Sequence, residues 1–184
     1  MIQIRNGVFE TNSSSTHSIC IPKKTDIKRD SIYFGIGEYG WENDEVDAPS
    51  YLYTAILCTY GYNNAVAKIE ELKSILDSHS IKYFFEEPVW YEWDSGYKSL
   101  DNGYIDHAYE TSGFVNAVLN NEDMLLRCLF NGTVYTGNDN DDCHPSGCNI
   151  ADEYMWGYDE NDEWVEEPNP YHDPENFDYF YKGN

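Results

Sequence analysis

The chain has 184 residues, a formal charge of −23 and an aromatic share of 16%, including 17 Tyr. That length suits one domain with a sizeable core, and that charge repels nucleic acid and anionic membrane while attracting basic proteins. No apolar run is long enough to span a bilayer. The five irregularly spaced cysteines point to free thiols in a reduced, cytoplasmic protein.

Residues 1–4 lead straight into polar sequence, so no signal peptide is expected. Ile2, Ile4 and Val8 alternate as in a short strand, and Asn6-Gly7 is a turn signal. Residues 9–18, FETNSSSTHS, are a dense run of small hydroxyl and amide side chains, which favour caps and tight loops. Residues 18–21 read as a second strand stopped by Pro22, and 31–34 as a third. Gly35, Gly37 and Gly40 have the G-x-G-x-x-G spacing. However, Glu38, Glu42, Asp44, Glu45 and Asp47 around them would repel a pyrophosphate, so a dinucleotide loop is rejected.

Residues 48–60 read as a helix with Leu52, Ala55 and Ile56 on one side. Asn63 or Asn64 then caps a second, whose apolar positions Val66, Ile69, Leu72, Ile75 and Leu76 recur at three- and four-residue steps. A strand is expected over 81–85, with 89–93 as its hairpin partner beyond Pro88. A loop-rich stretch follows to Asp106. Thr111 or Ser112, then Asn121, start two further helices that end at Asn131-Gly132. Residues 133–136 read as a short strand.

The last quarter is unusual. Between Asp139 and Tyr181 stand fourteen carboxylates and no Lys or Arg, interleaved with Tyr154, Trp156, Tyr158, Trp164, Tyr171, Phe177, Tyr179, Phe180 and Tyr181. Acidic disordered tails are poor in aromatics, so this stretch reads as folded surface. The charge is lopsided too: residues 1–30 sum to +2 and the remainder to −25. Pro168, Pro170 and Pro174 argue against regular helix there. The expected fold is α+β: a single compact domain of short antiparallel strands with two to four helices. Residues 1–138 form its core, and an irregular acidic-aromatic segment, 139–184, packs on it.

Three stretches invite chemistry. Ser13, Ser14, Ser15 and His17 could supply a nucleophile and base, but no G-x-S-x-G elbow is present, and a hydrogen-bonded loop is the simpler reading. A sharper variant converges Arg5, Glu10, His17, Asp106, His107, Asn138 and Asp139 in one cleft. Cys143, His144 and Cys148 lack the second ligand pair of a zinc site. The run 139–142 lacks the glycine and distal glutamate of a calcium loop, so no cofactor or metal is expected.

Residues 5–18, RNGVFETNSSSTHS, with the stretches 104–107 and 130–140, resemble a group of small phage, prophage and Firmicute proteins. The resemblance implies a mobile-element setting, in which small acidic proteins often inhibit host defence, anti-CRISPR proteins among them. It implies no catalytic residues.

The acidic-aromatic stretch carries the leading expectation, a nucleic-acid mimic. Duplex DNA presents one negative charge per about 1.7 Å of axis, and proteins grip it with Lys and Arg. Carboxylates at comparable spacing can occupy the same basic groove, and rings between them add buried area and stack on guanidinium planes. The expected contacts are Asp152, Glu153, Trp156, Asp159, Glu160, Asp162, Glu163, Trp164, Glu166 and Glu167. The expected partner is a basic nucleic-acid-binding protein, with a CRISPR effector nuclease the specific candidate. Neither direct nucleic-acid binding nor membrane association is expected. The alternative is an enzyme acting on a nucleotide or protein through residues 10–17 with Asp106 and His107.

Overall fold

The computed structural model describes residues 15–24, 31–42, 44–138, 149–158, 161 and 163–183. The strand expected over residues 2–8 lies outside them. In chain order the first elements are strands β1 (Ser15–Pro22), β2 (Ile32–Phe34), β3 (Glu38–Tyr39) and β4 (Asp44–Asp47), then helix α1 (Ala48–Ser78). Strands β5 (Tyr83–Phe85), β6 (Trp90–Glu92), β7 (Lys98–Leu100) and β8 (Tyr104–Ile105) follow, then a 3₁₀ turn (Ala108–Thr111). Helices α2 (Ser112–Leu119) and α3 (Glu122–Asn131) precede strands β9 (Thr133–Asn138), β10 (Tyr154–Tyr158), β11 (Trp164–Pro168) and β12 (Phe177–Lys182). The α+β expectation holds.

Four strands form the main sheet in the order β12-β1-β9-β4, all antiparallel. β1 is an inner strand, so every residue of it from Ser15 to Ile21 is buried. The core joins Ile19, Ile21 and Val134 of this sheet to Leu52, Ala55 and Ile56 of α1 and to Leu125 and Leu129 of α3. Arg127 fastens α3 to the sheet. It donates to Asp123 on its own helix, to the Pro22 carbonyl at the end of β1 and to Asp178 on β12, at 2.9, 2.7 and 3.0 Å.

Helix α1 starts as its residues dictate. Asp47 accepts from the Ser50 amide at 2.9 Å, and proline stands in the first turn, where its missing N–H costs nothing. Residues 51–57 are all buried, so this half is a central helix rather than a surface one. At Gly61 the backbone leaves helical geometry (φ 65°, ψ 167°), and the second half begins as a separate segment. The two helices read from the sequence are therefore present, joined end to end at Gly61; Asn63 and Asn64, expected to cap the second, lie inside it because the break already falls at the glycine. The buried positions of the second half are Ala65, Leu72 and Leu76, whereas Val66 is 45% exposed.

Two strand pairings differ from expectation. β5 pairs in parallel with β2, and α1 supplies the long crossover that a parallel pair requires. β6 pairs with β7 rather than with β5, through a tight turn in which Gly96 takes φ 79°. Pro88 stands between β5 and β6, and a proline interrupts a ladder because it has no N–H to donate. The glycine-rich stretch is also closed to phosphate: the amides of Gly35 and Gly37 donate to the hydroxyls of Ser50 and Thr54 on α1, at 3.1 and 3.2 Å.

The last quarter, expected to be irregular, contributes three strands. β12 is an edge of the main sheet, and β10 and β11 form a separate antiparallel ribbon. Pro168 is compatible with this because it is the last residue of β11, at the ribbon's end.

Candidate functional site

Two places gather the residues singled out by the sequence: the polar start of β1, and the β10–β11 ribbon.

Ser15, Thr16, His17 and Ser18 are at most 1% exposed. They are strand residues, not the loop that their composition suggests, because partners distant in the chain satisfy the side chains of Ser15, His17 and Ser18, while the Thr16 hydroxyl is buried without one among the described residues. The Nε2 of His17 lies 3.0 Å from the Gly40 carbonyl, and its Nδ1 lies 2.7 Å from the Tyr51 hydroxyl. A carbonyl only accepts, so Nε2 carries the proton and Nδ1 accepts from Tyr51. Burial, then the nearby Lys182 charge, lowers the His17 pKa to about 4, against opposing pulls from the Gly40 carbonyl and Asp106. The ring is neutral at pH 7 with both nitrogens engaged. A general base needs a lone pair within reach of a substrate, and this imidazole offers none.

Beside it, Ser15 Oγ donates to Asp106 Oδ2 at 2.9 Å. Lys182 Nζ donates to the Ser15 carbonyl at 2.8 Å and also to Ser15 Oγ. Lys182 is 2% exposed, and burial lowers its pKa while Asp106 and Glu110 hold it up. His107 Nε2 is 3.8 Å from Asp106 Oδ1, and Asn138 faces Ser15 across the β1–β9 ladder. The structure thus brings together Ser15, His17, Asp106, His107 and Asn138. Arg5, Glu10, Ser13, Ser14 and Asp139 lie outside the described residues. Lys182 was missed by sequence reasoning, although it is the sole Lys or Arg after Arg127, which is a signal of a kind. Chemically the group is a clamp with a buried centre, Ser15, His17 and Lys182, and a partly exposed rim at Asp106 and His107: it ties β12 and the β8 end to the start of β1.

The ribbon is built differently. Its register sets Tyr154 opposite Pro168, Trp156 opposite Glu166 and Tyr158 opposite Trp164, with Met155 opposite Glu167 and Gly157 opposite Val165 in between. Strand alternation therefore puts positions 154, 156, 158, 164, 166 and 168 on one face and 155, 157, 165 and 167 on the other. The first set holds four ring-bearing residues and one carboxylate. Glu166 and Glu167, neighbours in sequence, fall on opposite faces. Glu153, Tyr154, Glu163, Glu166 and Glu167 are exposed, and Asp152 is half-buried. Asp159, Glu160 and Asp162 lie outside the described residues.

The ribbon's base is fixed. The Asn169 side chain donates to the carbonyls of Asn149 and Asp152 at 2.9 and 3.0 Å, and its amide donates to the Glu153 carbonyl. The Ala151 amide donates to Ser18 Oγ at 3.0 Å, joining this base to the polar strand. Comparison with family models, with curated proteins and with solved structures found no match. Among the described residues no group of three His, Cys, Asp or Glu side chains is placed to hold a metal. Cys143, His144 and Cys148 and the acidic run 139–142 lie outside them. No helix of the described residues is long and apolar enough to cross a membrane.

Proposed function

We propose that this protein is an acidic nucleic-acid mimic that binds the basic DNA- or RNA-binding surface of a host defence nuclease and blocks it, with a CRISPR effector as the specific partner. The observation that carries this reading is the β10–β11 ribbon. It carries exposed carboxylates Glu153, Glu163, Glu166 and Glu167 on an anchored two-stranded platform, with Glu166 on the face of the ring-bearing positions 154, 156, 158 and 164 and Glu167 on the other. Charge draws a cationic groove from a distance, and rings buried on contact slow its release. The alternative enzyme reading is weakened at His17, which is buried with both nitrogens engaged.

The test is complex formation with a CRISPR effector nuclease, measured across a salt titration. Affinity should fall steeply as salt rises, and Glu163→Lys with Glu166→Lys and Glu167→Lys should restore the nuclease's DNA binding. Affinity that stays flat with salt, or a triple variant that still inhibits, overturns the proposal.

A further inference from the structure

The break in α1 opens a cleft that neither the ribbon nor the polar clamp uses. A cavity of about 350 Å³ lies at the break, lined by Tyr60, Tyr62, Asn63, Asn64, Tyr97 and Lys98. A second, of about 200 Å³, adjoins it through Gly61, Tyr97 and Lys98 and reaches Trp90 and Tyr104. Small-molecule sites have this character: clefts from about 300 Å³ upward, with aromatic walls and a few polar groups.

The backbone at the break is itself unusual. Gly61 sits at φ 65° inside a long helix, and nothing lies within 4 Å of where its Cβ would be. Left-handed geometry of this kind collects at binding sites, where it shapes a surface rather than a core.

The lining decides the ligand class. The Tyr62 ring meets Trp90 edge-on at 5.1 Å, which sets the orientation of its face. The Lys98 ammonium lies 4.9 Å from the centre of that face and 3.2 Å from Glu92. A cationic ligand would meet Lys98. An anionic ligand would meet a Lys98 whose charge is already paired with Glu92, and the field of a chain with net charge −23. A neutral flat ring meets neither objection, and the Asn63 and Asn64 amides can both donate to and accept from its edge.

We infer that the cleft at the α1 break binds a neutral heteroaromatic ring of the nucleobase or nucleoside class, stacked on Tyr62. Lys98, held by an exposed ion pair, swings aside to free the ring face.

The test is a calorimetric titration of the full chain with adenosine, guanosine, cytidine and uridine, and with their 5′-monophosphates. At least one nucleoside should bind saturably, and its monophosphate should bind more weakly. Tyr62→Ala should weaken that binding about tenfold or more, the usual effect of losing a stacking platform. Lys98→Ala should tighten it by uncovering the ring. Far-UV circular dichroism checks that both variants keep the fold. The inference is overturned if no nucleoside binds at millimolar concentration, if folded Tyr62→Ala binds as the parent does, or if Lys98→Ala loses binding. The last result would mean that the site is held together by charge. None of these outcomes bears on the ribbon, whose partner is scored separately.

Discussion

A neutral imidazole at position 17 makes stability depend on pH in a defined window. The folded pKa, about 4, lies below the ordinary value of 6.5, so on acidification the unfolded chain takes up the proton first. The contribution of His17 is therefore complete above about pH 6.5 and is lost as pH falls toward about 4, by about 3 kcal/mol in all. Urea unfolding at pH 7.5 and pH 5 should differ by about 2 kcal/mol from this residue, and His17→Gln should remove that difference. Tyr51→Phe takes away the hydroxyl that serves Nδ1 and leaves a buried acceptor bare, so it should destabilise by about 1–3 kcal/mol in the same assay. None of this was legible in the sequence. The run 13–18 looks like loop because its hydroxyls and imidazole need partners. The partners of Ser15 and His17, which are Gly40, Tyr51, Asp106 and Lys182, lie 23 to 167 residues away.

Elements were more legible where their cause is local. The cap at Asn121 and the division of α1 into two helical halves follow from residue types a few positions apart, whereas the second half starts at the Gly61 break and not at the Asn63 or Asn64 cap that the sequence suggests. Val66 was assigned to the buried stripe, but the stripe runs through Ala65, Leu72 and Leu76, and the three-four spacing tolerates either choice until a neighbour is known. Pairings of short strands were not legible at all. β6 chooses β7 over β5, and β2 reaches across α1 to β5, through ladders that leave no composition signal. The ribbon was read correctly as folded and acidic, but not as two strands, and its alternation splits the Glu166–Glu167 pair that looks like a unit in sequence. At the break itself, Gly61→Ala should cost about 1–2 kcal/mol, read as a lower thermal midpoint. The Cβ meets no atom, so the loss would come from left-handed backbone alone.

For the molecule as a whole, the charge of −23 acts on two equilibria with opposite signs. Like charges repel one another in the folded chain, so raising the salt from about 10 mM to about 150 mM should raise its melting temperature as screening shortens from about 30 to about 8 Å. The same change should loosen the complex with a cationic partner. A melting curve and a binding isotherm over one salt series would show the two trends crossing. A partner held chiefly by apolar contact would leave the second trend flat.

The place of β1 within the sheet also governs when the protein can form. Its two ladder neighbours, Thr133–Asn138 and Phe177–Lys182, emerge from the ribosome long after it does. During synthesis this strand waits with both edges bare, and the sheet closes only when residue 182 is clear of the exit tunnel. Distant pairings of this kind make for slow folding and prolonged exposure to aggregation. The hydroxyl-rich opening of the strand keeps that waiting segment wet rather than sticky.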